Sequence, residues 1–122
     1  MPRYLFAIIG EPDHYDTWDG ASDVEQQQVL DHFRAFTDAV RQRGTLVAGE
    51  ALDRPSSGFT ARRDREPRLV TEGPFAEAAE QLCGFYVADL PSEATARELV
   101  LLLPPAYSTE VRHCPDVGVT PR

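Results

Sequence analysis

An α+β fold is predicted: an antiparallel sheet with two helices on one face, in the order βαββαβ with an extra hairpin inserted. Three observations predict it. Apolar runs of strand length alternate with two segments of helical periodicity. Each helical segment opens on a serine placed to cap it, Ser22 and Ser92. Two short β-type runs around a charged tip interrupt the middle of the chain. This is the split βαβ, or ferredoxin-like, arrangement.

The elements follow in order. RYLFAII (3–9) reads as a buried strand, and GEPDHYDTWDG (10–20) as a polar loop. Ser22 and Glu25 make a capping box, in which hydroxyl and carboxylate satisfy free backbone N–H groups. Val29, Phe33, Phe36 and Val40 then recur at helical spacing, which sets a helix over 23–43. Gly44 stands where a left-handed C-cap belongs. TLVAGEALD (45–53) is a second strand. FTARR (59–63) and PRLVT (67–71) form the hairpin, and AEAAEQ (76–81) has the composition for one or two helical turns. LCGFYVADL (82–90) is a further strand. Ala96, Leu99, Val100 and Leu103 form the apolar face of the second helix, which Pro104-Pro105 stops. STEVRHC (108–114) is the last strand. One domain spans 1–115, and 116–122 is a loose tail.

Alternation along the strands carries a further expectation. In the first strand Leu5, Ala7 and Ile9 point one way, and Tyr4, Phe6 and Ile8 the other. In the fourth, Cys83, Phe85 and Val87 oppose Leu82, Gly84, Tyr86 and Ala88. Both faces are apolar, yet two helices cover only one. A second copy of the chain is the economical cover for the other face, which predicts a homodimer.

With 122 residues and 42% hydrophobic content, the chain suffices for one cored domain. The net charge of −8 repels phosphate backbones, so neither nucleic acid nor an anionic membrane is an expected partner. All twelve basic residues are Arg, which excludes Schiff-base and P-loop chemistry on this chain. Serine-hydrolase, zincin and dinucleotide motifs do not occur. Cys83 and Cys114 lack ligand spacing, so no metal site and no cofactor are expected, and free thiols suit a reducing cytoplasm. The N-terminal apolar run is too short for a signal peptide, and no stretch is long enough to span a membrane.

The most distinctive stretch is TEGPFAEAAEQLCGFYVADL (71–90). It resembles the signature of the YCII-related family in its DGPF-domain branch: Asp-Gly-Pro-Phe-Ala-Glu, then Lys-Glu, then Gly-Gly and an aromatic strand. An apolar first strand, GTLVAGE (44–50) and Glu110-Val111-Arg112 appear in the family's order. Glu72 stands at the signature's first acid, Ala79 at its Lys and Cys83 at one Gly. The resemblance implies a ferredoxin-like domain that pairs into a dimeric α/β barrel. It also implies a small enzyme related in architecture to barrel lactone isomerases and monooxygenases, or an association with extracytoplasmic-function sigma factors.

Candidate residues divide by role. Glu50 shares a strand face with Leu46, Ala48 and Leu52 on the alternation reading, where desolvation favours general acid–base work; the other reading pairs it with Arg112. Through the resemblance, Glu72 at the Gly73-Pro74 corner is a second catalytic candidate and Glu80 a substrate-binding one, while Glu77 is expected in water. His32 lies close to the helix histidine of the YCII branch and is the third catalytic candidate. Tyr86 beside Gly84, Arg112 on the last strand and His14 among Asp13, Asp16 and Asp19 are candidates for binding substrate. His113 is a weaker one. Glu50 and Glu72 are expected to converge at the mouth of a barrel cleft.

Two functions are compatible with these residues. One is a cofactor-independent acid–base enzyme of isomerase, lyase or cyclase type, acting on a small organic molecule. The other is a non-catalytic module that binds a small molecule or a protein, within a sigma-factor circuit.

Overall fold

The computed structural model describes residues 1–63, 66–76 and 80–120. Its main sheet has four strands in the order β2-β5-β1-β6: β1 is Arg3–Gly10, β2 Thr45–Ala51, β5 Gln81–Asp89 and β6 Ser108–Cys114. Every neighbouring pair is antiparallel. The helices α2 (Asp23–Arg43) and α3 (Glu93–Val100) lie on one face, as the ferredoxin-like plan requires. Tyr4, Phe6 and Ile8 of β1 meet Phe36 and Val40 of α2 and Ala96, Leu99 and Leu103 of the α3 region. Phe6 and Phe36 are fully buried and meet edge-on at 5.0 Å. Among the described residues no helix is long and apolar enough to cross a membrane.

Both predicted caps are present. The Glu25 amide donates to the Ser22 hydroxyl at 3.1 Å, and the Ser22 amide to the Glu25 carboxylate at 3.2 Å. Ser92 accepts from the Thr95 amide at 3.2 Å. Gly44 ends α2 without the left-handed turn: its φ is −168°, an extended value. The glycine is needed for space, because a β-carbon there would run into the Asp89 carbonyl oxygen.

The segment expected as a polar loop contains a seven-residue helix, α1 (His14–Gly20). Its own propensity is poor, and helices this short are held by tertiary contacts. His14, Tyr15 and Trp18 turn toward the sheet, while Asp16 and Asp19 both bind Arg54, at 3.0 and 2.7 Å. The hairpin strands are shorter than predicted, β3 (Phe59–Ala61) and β4 (Val70–Glu72), and form a separate two-stranded sheet. Gly73 turns the chain after β4 with φ of +87°, open to glycine at no steric cost. The helical turns expected over 76–81 fall partly on 77–79, outside the described residues; Gln81 already belongs to β5.

Two bulges reassign the strand faces. In β5 the register with β1 slips between Ile8 and Ile9, so Gly84 opposes Ile8 and Leu82 opposes Ile9. Cys83 is the extra residue and joins the helix side, while Leu82 moves to the open side. In β2 a second slip falls between Leu46 and Ala48. Leu46 packs on the core, whereas Ala48 and Glu50 sit opposite Val87 and Phe85 on the open face. Glu50 and Leu46 therefore do not share a face.

Candidate functional site

A cavity of about 440 Å³ opens between α1, α2 and the end of the sheet where β1, β2 and β5 meet. Two glycines on its lining allow close packing. Gly49 lies under the ring of Tyr86, and Gly84 lies against the β2 backbone, where a β-carbon would sit 2.9 Å from the Glu50 carbonyl oxygen. Tyr86 projects to the helix side, where its ring meets Phe36 at 5.0 Å and Phe33 at 6.2 Å. It does not line an open sheet face. Tyr107, from the turn before β6, meets Phe33 at 5.9 Å and His14 at 4.9 Å.

The α1 helix closes the remaining side. Tyr15 shares its hydroxyl proton between the carbonyls of Leu52 and Asp53, at 2.8 and 3.0 Å. Arg54 spans Asp16 and Asp19 and lies 5.5 Å from the Tyr15 ring centre. These contacts pin α1 to the chain leaving β2. At Gly10 the approach is close: a β-carbon there would meet the Cys83 sulfur at 2.6 Å and the His14 Cβ at 3.0 Å. Gly10 thus lets a thiol and an imidazole converge on one wall.

Burial sets the protonation states. It holds the His14 imidazole below its ordinary value, against a smaller upward pull from Asp13. It pushes the Tyr15 phenol up to about 12, with Cys83 and Asp53 adding to the rise. The Cys83 thiol and the Tyr86 and Tyr107 phenols are raised by the same cause. At neutral pH the wall is therefore uncharged: a neutral imidazole able to accept a proton and phenols able to donate hydrogen bonds. His14, Trp18 and Tyr107 also line a second hollow of about 280 Å³, whose other walls include Glu11, Asp13 and Glu25. His14 stands in the partition between an apolar chamber and an acidic one.

The sequence candidates scatter around this chamber. His14 and Tyr86 line it. Glu50 borders it but is solvent-exposed in the single chain. Glu72 is exposed at the end of β4 and lines none of the described cavities, so it does not converge with Glu50. His32 is exposed on α2, and Glu80 is exposed just before β5. Arg112 is exposed on the open sheet face, opposite Leu5. His113 lies edge-on to Tyr4 at 5.7 Å. Glu77 falls outside the described residues. Sequence reasoning missed Tyr15, Trp18, Tyr107 and Cys83. The signal for the first two was the spacing of His14, Tyr15 and Trp18, which gives one aromatic face in a helix. Cys83 needed the bulge, and Tyr107 carried no signal.

The fold and chamber are those of a small α+β domain with a ligand-sized pocket beneath its helices. The family model for the YCII-related domain matches residues 3–115, and the chain belongs to that family. A protein of Rhizobium meliloti (strain 1021), named only as uncharacterized, is 33% identical over 114 residues, which is 88% of this chain and 90% of the relative.

Proposed function

We propose that the chain is a small cofactor-independent acid–base enzyme that binds a small organic molecule in the chamber. The carrying observation is His14, kept neutral by burial in a wall shared with Tyr107 and backed by an acidic hollow. His14 takes a proton from a carbon or oxygen acid held in the chamber. Tyr107 supplies a hydrogen bond to the charge that develops on the substrate. The hollow with Asp13 offers the proton a way out to solvent. Glu50 at the rim remains a second acid–base candidate. Isomerase, lyase and cyclase chemistry all need this proton traffic. The open sheet face, with Leu5, Ala7, Phe85 and Val87, supports a homodimer in which a second copy covers it.

A second reading is a binding module without turnover. It is favoured by the Tyr15 hydroxyl, which is already committed to backbone carbonyls and supplies no catalytic group. Deuterium exchange separates the two. A panel of cyclic ketones in deuterated water should lose α-protons faster with the protein present, and the His14→Gln variant should abolish this while retaining binding. Saturable binding with no exchange in the native chain would establish the binding module instead.

A further inference from the structure

The charge preference of the chamber follows from what surrounds it. The chain has no Lys, and the guanidinium of Arg54, which packs on α1, is held by Asp16 and Asp19. Arg34 and Arg41 lie in the adjoining groove beyond Phe33 and Tyr86, each with an aspartate of its own helix, at 3.7 and 3.9 Å. None of the three lines the chamber. An anion entering it would lose its hydration with no cation among the described residues of the lining, within a chain of net charge −8. A cation suits that net charge but would likewise be desolvated, with no buried carboxylate on the described lining. The one carboxylate among the described residues of the lining is Glu50, which sits opposite Phe85 on the other face of the sheet and is exposed.

The same walls suit a neutral ring. Phe33, Tyr86 and Tyr107 offer flat apolar surface for stacking or edge contact. The Tyr107 hydroxyl and the His14 ring nitrogens make no side-chain hydrogen bond to another described residue, so both are open to a ligand oxygen. The volume of about 440 Å³ lies near the small end of the ~300–1,000 Å³ range of ligand pockets, enough for one or two fused rings.

We propose that the substrate is an uncharged planar ring compound bearing a hydroxyl or carbonyl oxygen, and that the chamber rejects carboxylates and ammonium ions of the same shape. This rests on the chamber being the site proposed above. It places the oxygen against Tyr107 and His14 and the ring against the apolar surface of Phe33 and Tyr86.

Three probes of one shape test it, with naphthalene as a fourth, unsubstituted reference: 2-naphthol, 2-naphthoate and 2-naphthylmethylammonium, titrated by calorimetry at neutral pH. The chain's single tryptophan, Trp18, lines the chamber, so its emission reports occupancy. The expected result is 2-naphthol binding at least about tenfold more tightly than either ion, with a change in Trp18 emission. Tyr107→Phe should remove most of its advantage over naphthalene. An ion that binds as tightly as the phenol and shifts Trp18 emission would overturn the charge preference while leaving the chamber as the site. An undiminished naphthol preference in Tyr107→Phe would overturn the placement of the oxygen. Failure of every probe to bind or to change Trp18 emission would overturn the chamber reading itself.

Discussion

Gly49 lies directly beneath the ring of Tyr86: a β-carbon at that position would collide with Cδ1 and come within 2.7 Å of Cε1. The backbone is there to let the ring lie flat across the strand. Gly49→Ala must therefore displace Tyr86 from its contacts with Phe33 and Phe36. Overpacking of this kind typically costs about 1–3 kcal/mol. Urea unfolding should show that loss together with weaker binding of 2-naphthol. Gly20→Ala, where nothing lies within 4 Å, is the control and should lose no stability.

Tyr15 gives the chain an alkaline transition. Its folded value, about 12, lies above the ordinary 10, so folding favours the protonated phenol. The stability linked to it is fully present below about pH 10 and is lost as the pH rises through about 12. The difference in unfolding midpoint between the native chain and Tyr15→Phe should narrow over that window. A constant difference would separate the hydroxyl from the linkage.

His14 works at the opposite end of the scale. Burial lowers its folded value, so folding favours the neutral imidazole. That contribution is present above about pH 6.5 and is lost as the pH falls through the lowered folded value. Proton NMR of the imidazole C2–H should place the His14 midpoint below 6.5. His14→Phe should show a flatter decline of stability in acid.

Arg54 is a fastening and not a foundation. Its ion pairs are exposed, and such pairs contribute little to global stability. Arg54→Ala should leave the unfolding midpoint nearly unchanged. Amide exchange in α1 should nevertheless quicken several-fold, and 2-naphthol should dissociate faster. Equal exchange in both proteins would mean that Tyr15 alone holds the helix.

The open sheet face should be an interface between two copies. A dimer formed there is expected to bury on the order of 2,000 Å² in total. Sedimentation equilibrium should find a dimer at micromolar concentration, and Val87→Glu, which puts a charge beside Leu5 and Ala48, should yield a monomer. A native monomer would remove the homodimer from the proposal.

The strand order and both long helices were legible in the sequence because local signals agree there. The Ser22 and Ser92 caps, the spacing of Phe36 and Val40, and the alternation of Tyr4, Phe6 and Ile8 all survive into the structure. The site was much less legible. Period-two reasoning assigns faces only while the register is unbroken. One extra residue at Cys83 and another between Leu46 and Ala48 reversed what lay beyond them. Glu50 was thereby parted from Leu46, and Cys83 was brought to His14. The α1 helix was invisible for a different reason: its stability resides in Arg54 and in the Leu52 and Asp53 carbonyls, more than thirty residues away in the chain.

The bulge at Cys83 also makes the chamber adjustable by length as well as by composition. The extra residue adds a buried thiol to the wall, while Gly84 stays opposite Ile8 and Leu82 opposite Ile9. Deleting that residue would restore strict alternation with Gln81 and Leu82 on their present sides, and would take the Cys83 thiol out of the chamber wall beside His14 without touching α2. In a family built on this strand, one-codon insertions and deletions at this point are a route to new ligand shapes that point substitutions in the tightly packed wall do not offer.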